Sequence, residues 1–351
     1  MSELRRSCAA RESCAAAALW LLQVRIRGRL GRGLPRLTPA SAEGGASVAD
    51  RAALAHAHVI LNPAAGRGAG RRAGDAVARA FRHQGWTIEM VETARPGDGT
   101  ALASAAARAG ARCVVAVGGD GAVHEVANGL LAVRSQAVLG VVPIGSGNDF
   151  AKLVGVYRHD VARAVARLTT ATVRRFDAGR ALDEYFVNTL GFGFGAAVVK
   201  TRNGMPGLNG FLSYLIPIFR TFAGFHPPLF EVRSAGYEER GRMMMVEVCN
   251  GTTAGGNYRF APDADPADGF LDVCLIRRIG LVRFLASLPR VMRGTHGTLK
   301  DIVALFRSAS LTIRAPEAPL VLHLDGELRE PGVHECTVTV EPKCLNVLVA
   351  R

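Results

Sequence analysis

Four short turns carry the side chains best suited to chemistry. In Gly118-Gly119-Asp120-Gly121-Ala122-Val123-His124-Glu125 a carboxylate stands between glycines, directly after an apolar run of strand length. A carboxylate so placed is exposed and uncrowded. It suits a magnesium–phosphate unit, because Mg2+ takes few carboxylates and completes its shell with water and phosphate oxygens. An Asp that caps the next helix is the plainer alternative, but a cap does not require two glycines before it. Asn62-Pro63-Ala64-Ala65-Gly66-Arg67-Gly68-Ala69-Gly70 follows another apolar run. Its glycines would let backbone N–H groups approach phosphates at a helix N-terminus. It is not a Walker A loop, since no Gly-Lys-Ser/Thr follows, and it lacks the dinucleotide spacing. Pro143-Ile144-Gly145-Ser146-Gly147-Asn148-Asp149-Phe150 repeats the pattern with a hydroxyl and an Asn-Asp pair. Alone, either is equally a strand-to-helix turn. The fourth, Leu324-Asp325-Gly326-Glu327, sets two acids around a glycine at a strand end. Phosphoryl transfer to an alcohol needs a carboxylate near the acceptor hydroxyl; a charged β-turn is the alternative.

The elements that must hold these turns follow from periodicity. Residues 59–61, 86–91, 113–117 and 138–142 read as strands, and 71–84, 99–109 and 123–131 as helices. Strands alternating with helices imply a parallel sheet covered on both faces. In such a sheet ligands bind beyond the carboxyl ends of the strands, so the three glycine turns should meet at one crevice. After Asp177 the rhythm changes. Residues 185–189, 230–233, 243–250, 271–276, 311–313 and 320–324 are strand-like, with helices over 210–222 and 282–292. Glu330-Pro331-Gly332 reads as a hairpin turn between 320–328 and 336–340. The expected organisation is an N-terminal extension over 1–56, an α/β domain over 57–177 and a β-sandwich over 178–351. A return of the last strands to the first domain is allowed for in that organisation.

The 351 residues are 49% hydrophobic and 21% charged, as in a globular protein. A formal charge of +13 favours polyanions, whether nucleotide phosphates, nucleic acid or an anionic membrane. No helix-turn-helix, zinc or aromatic-platform signature supports nucleic acid. The seven cysteines are scattered without a CxxC pair, which suits buried free thiols in a reducing compartment. The apolar run 14–24, flanked by arginines, is too short to span a membrane, which takes about 20 residues. Ala40-Ser41-Ala42 looks like a cleavage site, but the intervening arginines argue against a signal peptide. A disordered or weakly membrane-associating extension is expected.

Together and in order, these segments resemble the diacylglycerol-kinase catalytic family, especially its bacterial soluble lipid kinases. The resemblance spans residues 57–351. It rests on Asn62-Pro63-x-x-Gly66, Gly118-Gly119-Asp120-Gly121 with Glu125, and Pro143-x-Gly145-x-Gly147-Asn148-Asp149-Phe150-Ala151. It continues through Asn188-x-x-Gly191-x-Gly193, Gly255-Gly256, Asp268-Gly269-x-Leu271-Asp272-Val273 and Asp325-Gly326-Glu327. The resemblance implies a three-layer α/β nucleotide-binding domain of the phosphofructokinase and NAD kinase kind and a C-terminal β-sandwich, with a lipid entering between them. It implies ATP bound by Asn62, Pro63, Ala64, Ala65 and Gly66, by Thr93, by Gly118 through Glu125, and by Ser146, Asn148 and Asp149. In the second of these segments that means Gly119, Asp120, Gly121, Ala122, Val123 and His124. Asp120 would organise the phosphates and Mg2+. Glu327 would accept the proton of the lipid hydroxyl, with Asp325 the rival. Asp268, with Asp265 and Phe270, would hold a structural Mg2+; a surface loop without metal is the alternative. Four positions depart from the family's usual residues: Ala122 for Thr, His124 for Asn, Ser146 for Thr, and Gly195-Ala196-Ala197 where an acidic residue is usual.

The expected substrate is diacylglycerol or a related lipid. The apolar, aromatic segment 208–225, broken by Arg220 and Pro217, would cover a lipid cleft or dip into a membrane interface; a helix packed on the β domain is the alternative. Lys200, Arg202 and Arg220 would hold the protein on anionic lipid. The expected location is cytoplasmic with peripheral membrane contact, without nucleic acid, and with a homodimer allowed. An NAD kinase-like enzyme and a non-catalytic nucleotide- or lipid-binding module are the competing readings.

Overall fold

A computed structural model describes residues 54–157, 160–205 and 212–350. The apolar run 14–24, the Ala40-Ser41-Ala42 site and residues 206–211 lie outside the described residues. Strands β1 (His56–Leu61), β2 (Thr87–Glu92), β3 (Cys113–Gly118) and β4 (Val138–Pro143) form a parallel sheet in the order β2-β1-β3-β4. Every residue of β3 and β4 is buried, as a parallel strand must be when helices cover both faces. Helices α1 (Ala65–His83), α2 (Asp98–Arg108) and α3 (Asp120–Ala132) connect them, and α4 (Asp149–Leu153) and α5 (Val161–Thr169) follow β4. The alternating pattern expected through residue 142 is met element by element. The first turn of α1 is broken at Gly66, Arg67 and Gly68, whose φ values of 57°, 61° and 80° are left-handed.

The second half contains β5 (Thr172–Ala181), β6 (Glu184–Phe186), β7 (Thr189–Gly193), α6 (Phe194–Asn203), α7 (Leu212–Gly224), β8 (Leu229–Ser234) and β9 (Tyr237–Cys249). It continues with β10 (Leu271–Arg277), α8 (Leu281–Arg293), β11 (Val303–Ser308), β12 (Ser310–Arg314), β13 (Leu322–Leu324), β14 (Glu327–Arg329) and β15 (Glu335–Val349). The first half of β9 pairs with β8, and its second half pairs with β7 and β10, so one strand serves both layers of a sandwich. Leu190, Phe192, Val246, Val248, Leu322 and Leu324 meet Val232, Leu311, Ile313 and Val338 in the sandwich core. Period-2 alternation therefore turns Gly191, Glu247 and His323 to the other face.

The end of β15 lies parallel to β4, with Asn346 opposite Val138, while the same strand pairs antiparallel with β5. The chain thus closes on the sheet where it began, and β5 runs across residue 177. Two local expectations are corrected. The segment 320–328 is not one arm of a hairpin closed by Glu330-Pro331-Gly332. β13 ends at Leu324 and folds back at once onto β14, with Leu324 opposite Glu327. Asp325 and Gly326 have φ values of 50° and 91°, the two positive values a tight hairpin turn demands. The segment 336–340 pairs with β12 and β5 instead. The strand expected over 185–189 is two strands, because the Val187, Asn188 and Thr189 amides turn inward onto Asp325. Helix α6 and strands β5 and β11 had no sequence signal strong enough to be expected.

Candidate active site

The three glycine turns do converge. A Cβ on Gly145 would lie 2.4 Å from Cα of Gly119, so the second and third turns pack backbone on backbone. Asp120 is the first residue of α3, but it does not cap that helix. Its Oδ1 accepts the Phe150 amide at 3.2 Å, tying α3 to α4. Burial, aided by the neighbouring Asp149 carboxylate, pushes the Asp120 carboxyl up to about 7. Asp149 is paired with Lys152 at 2.9 Å and accepts the Gly256 amide at 2.8 Å. Lys152 also donates to the Gly256 carbonyl. Asn148, left-handed at φ 54°, donates to the Gly145 carbonyl at 2.7 Å and shapes the third turn.

The acidic turn from the second half reaches this crevice. Glu327 is exposed, and its Oε1 overlies Gly121, where a Cβ would come within 2.6 Å. Its neighbour Asp325 is buried and fully occupied. Oδ1 accepts the Asn188 and Thr189 amides at 2.8 and 3.0 Å. Oδ2 accepts the Val187 amide at 3.0 Å and faces His124 Nδ1 at 2.9 Å. His124 Nε2 contacts Glu184 at 2.9 Å, and Arg329 pairs with Glu184 in turn. Burial opposes the charge on His124, but Asp325 and Glu184 outweigh it and raise its pKa to about 9. Burial likewise opposes the charge on Glu184, and His124 and Arg329 hold its carboxyl down at about 2. The turn bearing Glu327 therefore rests on a chain of charged hydrogen bonds.

One cavity of about 760 Å³ joins the glycine turns to the acidic turn. Asn62, Ala65, Gly66, Asp120, Ser146 and Asp149 line it, and so do Gly119, Gly121 and Ala122. Asp325 and Glu327 line it from the sandwich side. The same cavity continues along Phe194, Ile218, Met245, Phe284, Leu288 and Ile302, an apolar wall of α6, α7, α8 and the outer face of the sandwich. The described part of the segment 208–225 is therefore a helix packed on the β domain that also lines the cavity through Ile218.

Other residues assigned to ATP stand behind the crevice. Pro63, Ala64, Thr93, Gly118, Val123, His124, Glu125 and Asn148 do not line it. Helical spacing explains the middle group: Asp120, Gly121 and Ala122 face the cavity, while Val123 and His124 turn into the interior. The Glu125 carboxylate takes the Gly97 and Gly99 amides at 2.8 and 2.9 Å at the start of α2. Asp265, Asp268 and Phe270 lie apart on the loop before β10. Arg307 pairs with Asp268 and lies 5.0 Å from the Phe270 ring centroid, and Arg174 is 3.9 Å from Asp265. Guanidinium groups thus stand beside both carboxylates, while burial and the nearby Asp263 and Asp265 push the Asp272 carboxyl at the end of the loop up to about 6. Among the described residues, the side-chain cluster with metal-ligand spacing is His56, His58 and Glu89, on β1 and β2. Lys152, Glu184, Arg329 and Asp177 were missed. Lys152 alone had a local signal, three residues after Asp149 on a helix. Asp177, buried, takes the Gly269 and Lys343 amides at 2.7 Å each and anchors the loop to β15.

Residues 56–181 match the diacylglycerol kinase catalytic domain, and residues 188–349 match the YegS C-terminal NAD kinase beta sandwich-like domain. A probable lipid kinase YegS-like from Pseudomonas putida is 33% identical over 260 residues, 70% of this chain and 88% of that protein. The chain belongs to the diacylglycerol-kinase-like family of lipid kinases. A diacylglycerol kinase of Bacillus subtilis is 28% identical over 278 residues, covering 78% of this chain and 90% of its own length. The crystal structure of a putative diacylglycerol kinase from Bacillus anthracis shares the fold, with a TM-score of 0.69 at 22% identity over 84% of this chain and 96% of that one. This lipid kinase has, among its described residues, no helix long and apolar enough to cross a membrane.

Proposed function

We propose that this lipid kinase transfers the γ-phosphate of ATP to a primary hydroxyl of a membrane lipid such as diacylglycerol. The observation that carries the reading is the single cavity running from the glycine turns, past Glu327, to an apolar wall able to take acyl chains. The backbone of the turns and Ser146 hold the phosphates. The site offers a divalent cation two neighbouring carboxylates: Asp120, which burial and then the Asp149 charge push up to about 7, and Asp149, which also holds Lys152. Mg2+ bound there with ATP would supply charge for the transferring phosphoryl group. Asp120 keeps the phosphate end anchored on α3 and α4. Glu327, exposed above Gly121, takes the hydroxyl proton of the lipid. Asp325 holds the turn from beneath.

The reading includes docking on an anionic membrane. Helix α8 turns Phe284 into the cavity and exposes Leu281, Val282 and Leu285, with Val282 84% accessible. Arg278, Arg283 and Arg290 stand exposed around them. Apolar side chains within a basic rim suit an interfacial helix. Co-sedimentation with anionic vesicles at low salt, lost in Val282→Asp, is expected; no binding to such vesicles refutes the docking.

Radiolabelled ATP with a panel of lipids in mixed micelles tests the chemistry. Wild type should label a lipid, and Asp120→Ala and Glu327→Ala should each lower transfer by about 10²-fold or more, the usual scale for a positioned acid or base. Labelling of no lipid, or undiminished labelling by both variants, sinks the mechanism.

A further inference from the structure

Glu247 and His323 belong to no step described so far. They are cross-strand neighbours of one residue, Gly191, which stands opposite His323 on β13 and opposite Glu247 on β9. A Cβ at Gly191 would lie 2.3 Å from His323 Nε2 and 2.4 Å from Glu247 Oε2. Glycine there creates the space in which the two polar side chains approach, Nε2 standing 3.6 Å from Glu247 Oε1. Both residues line the cavity. Glu247 is only 1% exposed, and neither of its oxygens has a hydrogen-bond partner among the described residues. Buried carboxyl groups are nearly always bonded, so a pair of orphaned oxygens calls for a partner. The Thr189 hydroxyl stands beside the carboxyl, and the rest of the nearby wall, Met245, Phe194 and Ile276, offers no side-chain donor.

The pair is suited to an uncharged partner. Burial pushes the Glu247 carboxyl up to about 8, with Thr189 opposing. Burial also pushes His323 down to about 4, with Asp325 opposing. The Gly326 amide donates to His323 Nδ1 at 3.3 Å, which leaves the proton on Nε2, facing Glu247. A neutral carboxyl beside an N–H offers one acceptor and two donors in a small space. A hydroxyl, which both donates and accepts, satisfies that set better than an ester carbonyl or an ammonium.

We propose that Glu247 and His323 form a polar subsite that binds a second, free hydroxyl of the lipid acceptor. The acceptor this kinase prefers then carries a hydroxyl beyond the one phosphorylated, as a monoacylglycerol does and a diacylglycerol does not. The proposal rests on the lipid-kinase reading and narrows its substrate class.

The test reads binding without nucleotide, so it fails independently of catalysis. Affinities for a 1-monoacylglycerol, for the matched monoester of 1,3-propanediol, which lacks the secondary hydroxyl, and for a diacylglycerol are measured by titration calorimetry in mixed micelles. Wild type should bind the monoacylglycerol about tenfold or more tighter than the propanediol ester, since a site built for a hydroxyl leaves its own groups unpaired against the analogue without one. Glu247→Leu should cancel the difference by weakening the hydroxylated lipid alone, and thermal unfolding should show the variant folded. Should it not fold, Glu247→Met, an unbranched chain of similar reach, reads the same comparison. Equal wild-type affinity for the two monoesters, no measurable binding of either, tighter binding of the diacylglycerol, or equal weakening of both monoesters by the substitution overturns the subsite.

Discussion

Replacing Asp325 by Asn separates the two rival proton acceptors. Oδ1 of Asp325 accepts two amides, from Asn188 and Thr189, and Oδ2 meets the Val187 amide and His124 Nδ1. An Asn side chain has one oxygen and one NH2 group. Whichever way it turns, two donors face a donor. Two charge-assisted hydrogen bonds are lost in a buried place, at about 1.5–3 kcal/mol each, and His124 loses its charged partner. A destabilisation of about 3–5 kcal/mol follows, as for breaking a buried ion pair from one side. Against a total stability of about 5–15 kcal/mol, this is a large share. Glu327→Gln alters an exposed side chain outside that network, and its stability should stay within about 0.5 kcal/mol of wild type. Urea unfolding followed by far-UV circular dichroism at pH 7 reads the first effect, and labelled phosphate transfer reads the second. Asp325→Asn should lose stability, whereas Glu327→Gln should lose transfer and keep stability. If Asp325→Asn unfolds like wild type and yet transfers nothing, Asp325 is the proton acceptor and the reasoning fails.

Gly145→Ala places a methyl 2.4 Å from Cα of Gly119, where only backbone movement can relieve it. The second and third turns should part, with a stability loss of about 1–3 kcal/mol and a rise in KM for ATP of roughly tenfold or more, since small misplacements at a positioned site cost up to about 10²; an unchanged KM for ATP refutes the convergence of the two turns on the nucleotide. His124 supplies a pH test. Its pKa is raised from 6.5 to about 9, so its contribution is complete below pH 6.5 and is lost as pH rises through about 9. Asp120 and Glu247, raised to about 7 and about 8, lose their contributions at lower pH, so the comparison is made against His124→Asn. The stability gap between wild type and that variant should shrink by on the order of 3 kcal/mol between pH 6 and pH 10; a constant gap means that His124 is neutral.

Much of the first domain was legible because its elements are local. Buried runs such as 113–117 and 138–142 can hardly be anything but covered strands, and the glycines after them mark strand ends facing a crevice. The second domain was legible as β-rich but not in its pairings. β15 joins both layers through registers set by distant partners, and the turn after Leu324 closes where Asp325 meets the Val187, Asn188 and Thr189 amides, not where Pro331 suggests. Within the site, the residue types were visible and their depth was not. Glu125 belongs to the motif, yet its carboxylate holds the α2 start, and His124 bridges Asp325 and Glu184.

By itself, then, the sequence determined the family, the α/β rhythm and the presence of a glycine-lined crevice beside Gly118-Gly119-Asp120-Gly121, because glycine turns after buried strands act through local backbone geometry. Tertiary structure alone decided that Glu327 stands over Gly121 while Asp325 is spent on four donors. It alone brought Glu247 and His323 to either side of Gly191. Those outcomes depend on strand register and burial, and neither is set by residues near one another in the chain.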